Sequence, residues 1–323
     1  MWLKAKMEAA AVDEVSVGRV SPSGCASRSK CVGARERRPP ETARLAAPAT
    51  VDEMRARFVD VHSHVVPSGD DGAQSLADGA RLCDEAAAHG TRILFATPHV
   101  SPTLPLTVER EAQVRAAYAW VGAKAPLDLR LGWELTPMRA LLEEDPARYE
   151  LSDTGFALVE VPFAGSADLC VAVAEHVEAA GLRPLIAHPE RAQAVLARRE
   201  LADELAARGW PLQVNATSLV GYHGPEIEQL GWRLVEEGVA SLVASDGHRP
   251  SRPARLDEAF ARAVERVGEE AALPLFDGSA IWPAPDSFVQ AQPHERPRLA
   301  RGVRKTCGGG DAALATRAPW RKG

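Results

Sequence analysis

The chain has 323 residues, of which 46% are hydrophobic and 25% are charged, which is enough apolar material for one large α/β domain. The net charge of −6 is unevenly placed, because residues 1–57 and 286–323 are basic whereas residues 58–285 are acidic. This acidic centre argues against nucleic acid as a partner. The sequence also lacks an apolar stretch near the roughly 20 residues of a membrane span, which argues against membrane insertion.

Two segments of biased composition flank the central region. Residues 1–55 mix Ser, Gly, Arg, Pro and Ala, and they are predicted to be a disordered leader upstream of a natural start at or near Met54. Residues 286–323 carry Pro, Arg and a Gly-rich run and are predicted to be a disordered tail. Residues 56–285 are therefore predicted to form the domain. The five cysteines show no CxxC or Cys/His zinc spacing, which indicates reduced thiols and a cytoplasmic protein.

Between these segments, short apolar runs alternate with stretches of helical pattern. The predicted strands are residues 58–64, 91–99, 127–134, 156–160, 183–188, 210–215 and 239–248. The predicted helices are residues 75–89, 107–121, 168–180, 192–208, 225–237 and 255–267. Seven such β/α units predict a parallel sheet. We expect a closed barrel rather than an open doubly wound sheet, because only a barrel brings seven consecutive strand ends to one face.

Nearly every predicted strand ends in a side chain that can bind a metal ion. His62 and His64 lie on one face of the first strand, because side chains at i and i+2 point the same way, and Asp246 and His248 repeat this spacing on the last strand. The candidates on the other strands are His99, Glu134, Glu160 and His188. Taken alone, a histidine is more often structural, and a buried carboxylate can pair with an arginine instead. Their shared position favours a multinuclear metal centre.

The types of these residues indicate the chemistry of the site. Imidazoles and carboxylates without a thiolate favour Mn²⁺, Fe²⁺ or Zn²⁺. Several such ions close together activate water and stabilise both oxygens of an in-line displacement, so the predicted reaction is phosphate-ester hydrolysis. Arg191 and Arg252 follow two of the candidate ligands, and either guanidinium could hold phosphate oxygens. For Arg252, a solvated loop arginine remains the alternative.

Several segments carry a resemblance to a known family over about residues 57–282. The segments are FVDVHSHVVPSGDDG, ATPHVSP, LGWELTP, ALVEVPF, PLIAHPER, LQVNATSLVGYHG and ASDGHRPSRP. They resemble the polymerase-and-histidinol-phosphatase (PHP) superfamily and, within it, the bacterial protein-tyrosine phosphatases of the CpsB/CapC type. The resemblance implies a distorted (β/α)7 barrel of the PHP type, typically with manganese. It also implies a hydrolase that acts on a bacterial tyrosine kinase linked to capsule and exopolysaccharide synthesis.

The resemblance further implies a three-ion cluster and a role for each matching residue. The ligands fall into one set per ion: His62, His64, Glu134 and Asp246; Glu134, Glu160 and His188; and Asp71, His99 and His248. Arg191 and Arg252 match positions that hold the phosphate. Together with His188 they are the predicted catalytic residues, and the attacking group implied by the resemblance is a hydroxide that bridges the metal ions.

Three other functions stay open at this point. A PHP phosphatase on a small molecule such as histidinol phosphate would have a deep, closed basic pocket, whereas an open rim favours a phosphotyrosine protein. A non-enzymatic member that only binds a kinase or the polysaccharide machinery is disfavoured by the complete set of ligands. An amidohydrolase usually carries a lysine on a middle strand, and the third to fifth predicted strands have none.

Overall fold

The computed structural model describes residues 57–282, so the predicted leader and tail, including Met54, lie outside the described residues. The strands are β1 (Phe58–Ser63), β2 (Thr91–Ala96), β3 (His99–Val100), β4 (Asp128–Leu131), β5 (Glu134–Leu135), β6 (Glu150–Leu151), β7 (Phe156–Glu160), β8 (Arg183–Ala187), β9 (Leu212–Asn215) and β10 (Leu242–Ala244). The α-helices are α1 (Leu76–Ala88), α2 (Val108–Gly122), α3 (Asp168–Ala179), α4 (Gln193–Ala197), α5 (Glu200–Ala207), α6 (Ala216–Leu219), α7 (Pro225–Glu236), α8 (Asp257–Val267) and α9 (Glu269–Ala272). Among these described helices, none combines the length and apolar character that crossing a membrane requires.

The strands form two sheets in which neighbouring strands are parallel, apart from β6, which pairs antiparallel with β7. The first sheet has the order β1-β2-β4, and the second runs β10-β9-β8-β7-β5-β3. At least one α-helix lies between β1 and β2, between β2 and β4, and between each two successive strands from β7 to β10. Parallel pairing requires such connections, because a parallel neighbour can be reached only through a crossover. The predicted mixed α/β fold with parallel sheets is therefore confirmed.

Backbone hydrogen bonds join the two sheets at both ends. Beyond β10, the N–H of Asp246 donates to the carbonyl of His62 (2.9 Å), and the N–H of His64 donates to the carbonyl of Gly247 (2.7 Å). These bonds make a parallel bridge between the end of β1 and the segment after β10. At the other end, the pairing of β2 with β4 continues into the pairing of β3 with β5.

The strands bury both faces, and the alternation of their side chains sorts these into two clusters. Val59 and Val61 of β1 pack with Phe95 of β2 and with Leu158 and Leu185 of the second sheet, so both sheets contribute to the smaller cluster. Neighbouring positions on the same strands pack in the larger cluster together with side chains of the helices. Strands that bury both faces are typical of parallel sheets covered by helices.

Local signals in the sequence account for where the helices begin and end. The hydroxyl of Ser75 caps α1 by accepting from the N–H of Asp78 (3.1 Å), and the hydroxyl of Thr107 caps α2 in the same way. Gly181 and Gly209, just beyond α3 and α5, have φ of 88° and 85°. This left-handed conformation ends a helix and is open to glycine at little cost.

All seven predicted strands are present, but two predicted runs and one predicted helix are interrupted. The run 91–99 breaks at Pro98, which has no N–H to continue the ladder, so His99 begins a separate strand. The run 127–134 breaks at Gly132 and Trp133, and Glu134 begins β5. The predicted helix 192–208 is two helices, because Arg198 has an extended φ of −141° and ends α4.

Candidate metal centre

The side chains predicted to bind metal lie at or just beyond the carboxyl ends of the longer strands, with His99 and Glu134 following β2 and β4. His62 is the penultimate residue of β1, Glu160 ends β7, and His188 follows β8 directly. His99 and Glu134 face each other in register across β3 and β5. Because successive parallel strands deliver these residues to the same edge, side chains far apart in sequence meet in one cluster.

Glu134 lies at the centre of this cluster, and its side chain is only 1% exposed. Its Oε2 atom lies 3.1 Å from His64 Nε2, 3.2 Å from His62 Nε2 and 2.9 Å from His99 Nδ1. Its Oε1 atom lies 2.9 Å from His188 Nε2. A single carboxylate therefore contacts four imidazoles that come from three different parts of the chain.

Asp246 is the second buried carboxylate of the cluster and links the histidines to the two predicted arginines. Its Oδ2 atom accepts from Arg191 Nη1 (2.8 Å) and from Asn215 Nδ2 (2.8 Å). Its Oδ1 atom accepts from Arg252 Nη2 (3.1 Å) and lies 3.5 Å from His62 Nε2. Both guanidinium groups are thus held beside the histidines, and neither is a solvated loop arginine.

A third part of the cluster lies nearer the surface. His248 Nε2 lies 3.3 Å from Oδ1 of Asp71, a half-exposed carboxylate, and His99 Nε2 lies 3.8 Å from the same atom. The rings of His64 and His248 are 4.0 Å apart between centroids. The predicted residues Asp71, His99 and His248 are therefore neighbours.

Three groups of donor atoms have a spacing at which one cation could be held, with every atom of a group within 4.8 Å of the others. The groups are His62, Glu134 and His188; His62, His64 and Asp246; and His64, His99 and His248. Asp71 and Glu160 belong to none of them. Glu160 is buried beside Glu134, and burial first, then the charge of Glu134, raises the pKa of Glu160 to about 7.

Unpaired polar atoms test whether these residues fit a metal ion. His188 Nδ1 is buried and has no hydrogen-bond partner, and the 2.9 Å contact between His99 Nδ1 and Glu134 Oε2 lacks the geometry of a hydrogen bond. Such atoms are uncommon in folded proteins, because each costs about 1–3 kcal/mol. His62 Nε2 and His64 Nε2 also point at each other across 3.3 Å. A divalent cation would take up these lone pairs, and the mixture of imidazole nitrogen and carboxylate oxygen suits a transition ion.

The protonation states of these carboxyls and imidazoles also suit a metal ion. Burial is the largest single effect and opposes ionisation of Glu134 and Asp246, but His62 and the other cationic or hydrogen-bonding neighbours together hold the pKa of both carboxyls well below their usual range. Burial also opposes protonation of His62, yet Glu134 and Asp246 raise its pKa. For His188, burial prevails and lowers the pKa, which favours the neutral ring. Ionised carboxylates and neutral imidazoles are the forms that bind metal, so a cation would replace the protons of the cluster.

Two polar side chains behind the histidines orient their rings. Gln213 Oε1 lies 3.0 Å from His62 Nδ1, and Asp70 Oδ2 lies 3.1 Å from His64 Nδ1. Partners of this kind fix the direction of the opposite ring nitrogen in metal sites. The sequence prediction did not assign a role to Gln213 or Asp70. The signal for Gln213 was a polar residue two positions before Asn215 within an apolar run.

The backbone is strained where two of the predicted ligands leave their strands. His188 has φ of 34° and Asp246 has φ of 51°, both in the left-handed region that costs a non-glycine residue about 1–3 kcal/mol and that clusters at functional sites. Between Asp246 and His248, a Cβ on Gly247 would lie 2.5 Å from the backbone of Ala254. Only glycine allows this close approach.

The cluster forms the floor of a small cavity of about 50 Å³. The residues that line it are Asp71, His99, Glu134, Phe163, His188, Arg191, Asp246, His248 and Arg252. The two arginine side chains are 14% and 13% exposed, so their forks reach the cavity while most of each side chain is buried. The site is thus shallow and open at its rim, with an anionic floor and two cationic groups at its wall.

Comparison with known proteins identifies the family. Residues 58–280 match the family described as capsular polysaccharide synthesis, CpsB/CapC. The chain belongs to the CpsB/CapC family. The match spans nearly all the described residues, including all the predicted ligands, and it confirms the resemblance drawn from the sequence motifs.

Relatives in the CpsB/CapC family are similar over most of their own length. The tyrosine-protein phosphatase YwqE of Bacillus subtilis (strain 168) is 29% identical over 232 residues, covering 69% of this chain and 91% of its own. The putative tyrosine-protein phosphatase CapC of Staphylococcus aureus is 26% identical over 231 residues, with the same coverage. A crystal structure from work on YwqE of B. subtilis and CpsB of Streptococcus pneumoniae, described as metal-dependent tyrosine phosphatases, superposes with a TM-score of 0.61 at 28% identity, covering 68% of this chain and 91% of that one.

Proposed function

We propose that this protein is a metal-dependent phosphatase that hydrolyses phosphotyrosine in a protein substrate. The observation that carries the proposal is the convergence of five histidines and the carboxylates of Glu134 and Asp246 in one cluster, with two arginines beside it at the wall of the cavity. The relatives named above are tyrosine-protein phosphatases, and the open rim of the cavity suits a tyrosine displayed on a protein better than a small molecule held in a closed pocket.

We assign the metal ligands by combining the contacts with the sequence motifs. His62, His64, Glu134 and Asp246 would hold one ion, and Glu134, Glu160 and His188 would hold a second. Asp71, His99 and His248 would hold a third. The contacts of Glu134 with four imidazoles support its place between the first two ions. We propose manganese as the metal, with iron or zinc as the alternatives that the same donors accept.

The surrounding residues would do the rest of the chemistry. Bound ions supply an activated water and stabilise negative charge on the phosphoryl group. Arg191 and Arg252 would donate to the phosphate oxygens, since each guanidinium has donors beyond those it gives to Asp246. The contacts with Asp246 hold both guanidinium groups in place before substrate binds. Less ordering is then needed to reach the transition state.

We further propose that the two sheets close into a distorted barrel of seven β/α units. The bridge from β1 to the segment after β10, the continuous pairing from β2–β4 into β3–β5 and the shared inner cluster support this closure. Residues 56–285 would be the catalytic domain. The disordered leader and tail, the capsule-linked tyrosine kinase as substrate and the cytoplasmic location remain predictions from the sequence.

The experiment that tests this function is phosphate release from a phosphotyrosine peptide and from histidinol phosphate, each with Mn²⁺ and with excess chelator. We expect turnover of the peptide with Mn²⁺, loss of turnover with chelator and recovery when Mn²⁺ is restored. Turnover of histidinol phosphate alone would contradict the proposed substrate. Turnover of the peptide that persists through complete removal of metal would contradict the proposed chemistry.

Replacing Arg191 with lysine tests its role in holding phosphate. Lysine keeps the positive charge but lacks the planar pair of N–H donors that binds two phosphate oxygens at once. We therefore expect Arg191→Lys to lower kcat/KM for the peptide by about 10²-fold without loss of metal. The control is Arg198→Lys, because Arg198 is half-exposed and its ion pair within residues 57–282 is with Glu204. If Arg191→Lys retains wild-type kcat/KM, Arg191 does not hold the phosphate.

A further inference from the structure

The aromatic side chain of Phe163 has no evident structural role. It follows β7 and is 45% exposed, whereas most large apolar side chains of the described residues are buried. Its carbonyl accepts from the N–H of Gln193 (3.0 Å), so the backbone is fixed to the start of α4. The ring of Phe163 is therefore held on a fixed backbone with nearly half of its surface accessible for contact.

The surroundings of Phe163 place it at the rim of the metal cavity. The guanidinium carbon of Arg191 lies 4.4 Å from the centre of the ring, and the ring of His188 is 5.4 Å away at 31°. Phe163 also lines the cavity itself. The aromatic side chain thus stands directly beside the groups that would hold the phosphate.

The size of the cavity determines where the remainder of a phosphotyrosine side chain can lie. The cavity is about 50 Å³, whereas an apolar cavity that encloses benzene measures about 150 Å³. The phosphate can reach the floor, but a phenyl ring joined to it through one oxygen must lie at the rim. A phosphoserine would place only a short aliphatic chain there.

We propose that Phe163 is a specificity-determining residue that packs against the phenyl ring of phosphotyrosine. This inference rests on the proposed function, since it concerns the same site. Aromatic pairs in offset or edge-to-face arrangements contribute beyond the area they bury. The contact adds affinity for aryl phosphate esters only, because an alkyl phosphate has no ring to reach it.

The test uses two phosphonates that differ only in the ring, benzylphosphonate and methylphosphonate, with binding to the Mn²⁺-loaded protein measured by calorimetry. For wild type we expect benzylphosphonate to bind about threefold to tenfold tighter than methylphosphonate. We expect Phe163→Leu to lose this preference and Phe163→Tyr to keep it. Binding of methylphosphonate stays unchanged in both variants.

A matched control is Trp120→Leu. Trp120 is also exposed (40%) and also has a cation, Lys124, over its ring, at 4.6 Å from the centroid. It lies in the last turn of α2, at the opposite end of the strands from the cavity. We expect this variant to keep the wild-type preference for benzylphosphonate.

Three outcomes would overturn the role of Phe163. They are equal binding of both phosphonates by wild type, retention of the preference by Phe163→Leu, and equally weakened binding of both phosphonates by Phe163→Leu, which would show that Phe163 acts only by placing Arg191. Failure of the phosphatase assay is a separate result, since it is measured on the wild-type protein with the phosphotyrosine peptide.

Discussion

Glu134→Gln is expected to abolish phosphatase activity while leaving the fold intact. The carboxylate contacts four imidazoles and is proposed to lie between two ions. Glutamine keeps the shape but is neutral and turns N–H donors toward nitrogen atoms that must give lone pairs to metal. Mutation of a residue that only orients a metal ligand typically lowers metal affinity or activity by about 10–100-fold. Loss of a ligand itself should therefore lower kcat by about 10³-fold or more. Steady-state kinetics with saturating Mn²⁺ measures the effect.

The fold should survive this change, because the backbone of Glu134 keeps its bond to the carbonyl of Pro98 (3.2 Å). Circular dichroism and thermal unfolding of Glu134→Gln check this. The control is Glu204→Gln, since the Glu204 side chain is 57% exposed on α5. If Glu134→Gln keeps the wild-type kcat, Glu134 is not a ligand that turnover requires.

His188→Ala is expected to cause the second largest loss, about 10²–10³-fold in kcat. This range is set by the usual cost of losing one group that stabilises charge in the transition state. His188 follows β8, its Nε2 contacts Glu134, and its Nδ1 is buried without a partner. The backbone N–H of His188 donates to the carbonyl of Gln213 (2.8 Å), and replacing the side chain does not remove this bond. The loss should therefore affect turnover and metal affinity rather than folding.

The matched control for this variant is His176→Ala. His176 lies on α3, and its Nε2 lies 2.9 Å from the carbonyl oxygen of Glu144, away from the cluster. We expect His176→Ala to retain activity. If His188→Ala is as active as His176→Ala, His188 has no part in turnover, whereas an unfolded His188→Ala would show that its role is structural.

The long strands and the convergence of the candidate ligands follow from the sequence because both depend on simple periodicities. Apolar runs of strand length with helices between them predict parallel pairing, and parallel pairing predicts that His62, His188 and Asp246 meet at one edge. The spacing in His62–Ser63–His64 predicts a shared face. These inferences need no knowledge of distances.

Other features depend on tertiary contacts that leave little signal in the sequence. The two-residue strands β3 and β5 are too short for any period, yet their register sets His99 opposite Glu134. The contact of Asp70 with His64 depends on how a loop folds back. Phe163 lies in a segment of loop composition, and only its exposure beside Arg191 distinguishes it from a core residue.

The central claim is that side chains from across the chain gather to hold a cluster of metal ions. Elemental analysis of the purified protein, loaded with Mn²⁺ and freed of unbound metal by gel filtration, measures this most directly. We predict three ions per chain in wild type and a clear loss in Glu134→Gln with unchanged secondary structure. Wild-type protein that binds no transition ion under these conditions would contradict the account.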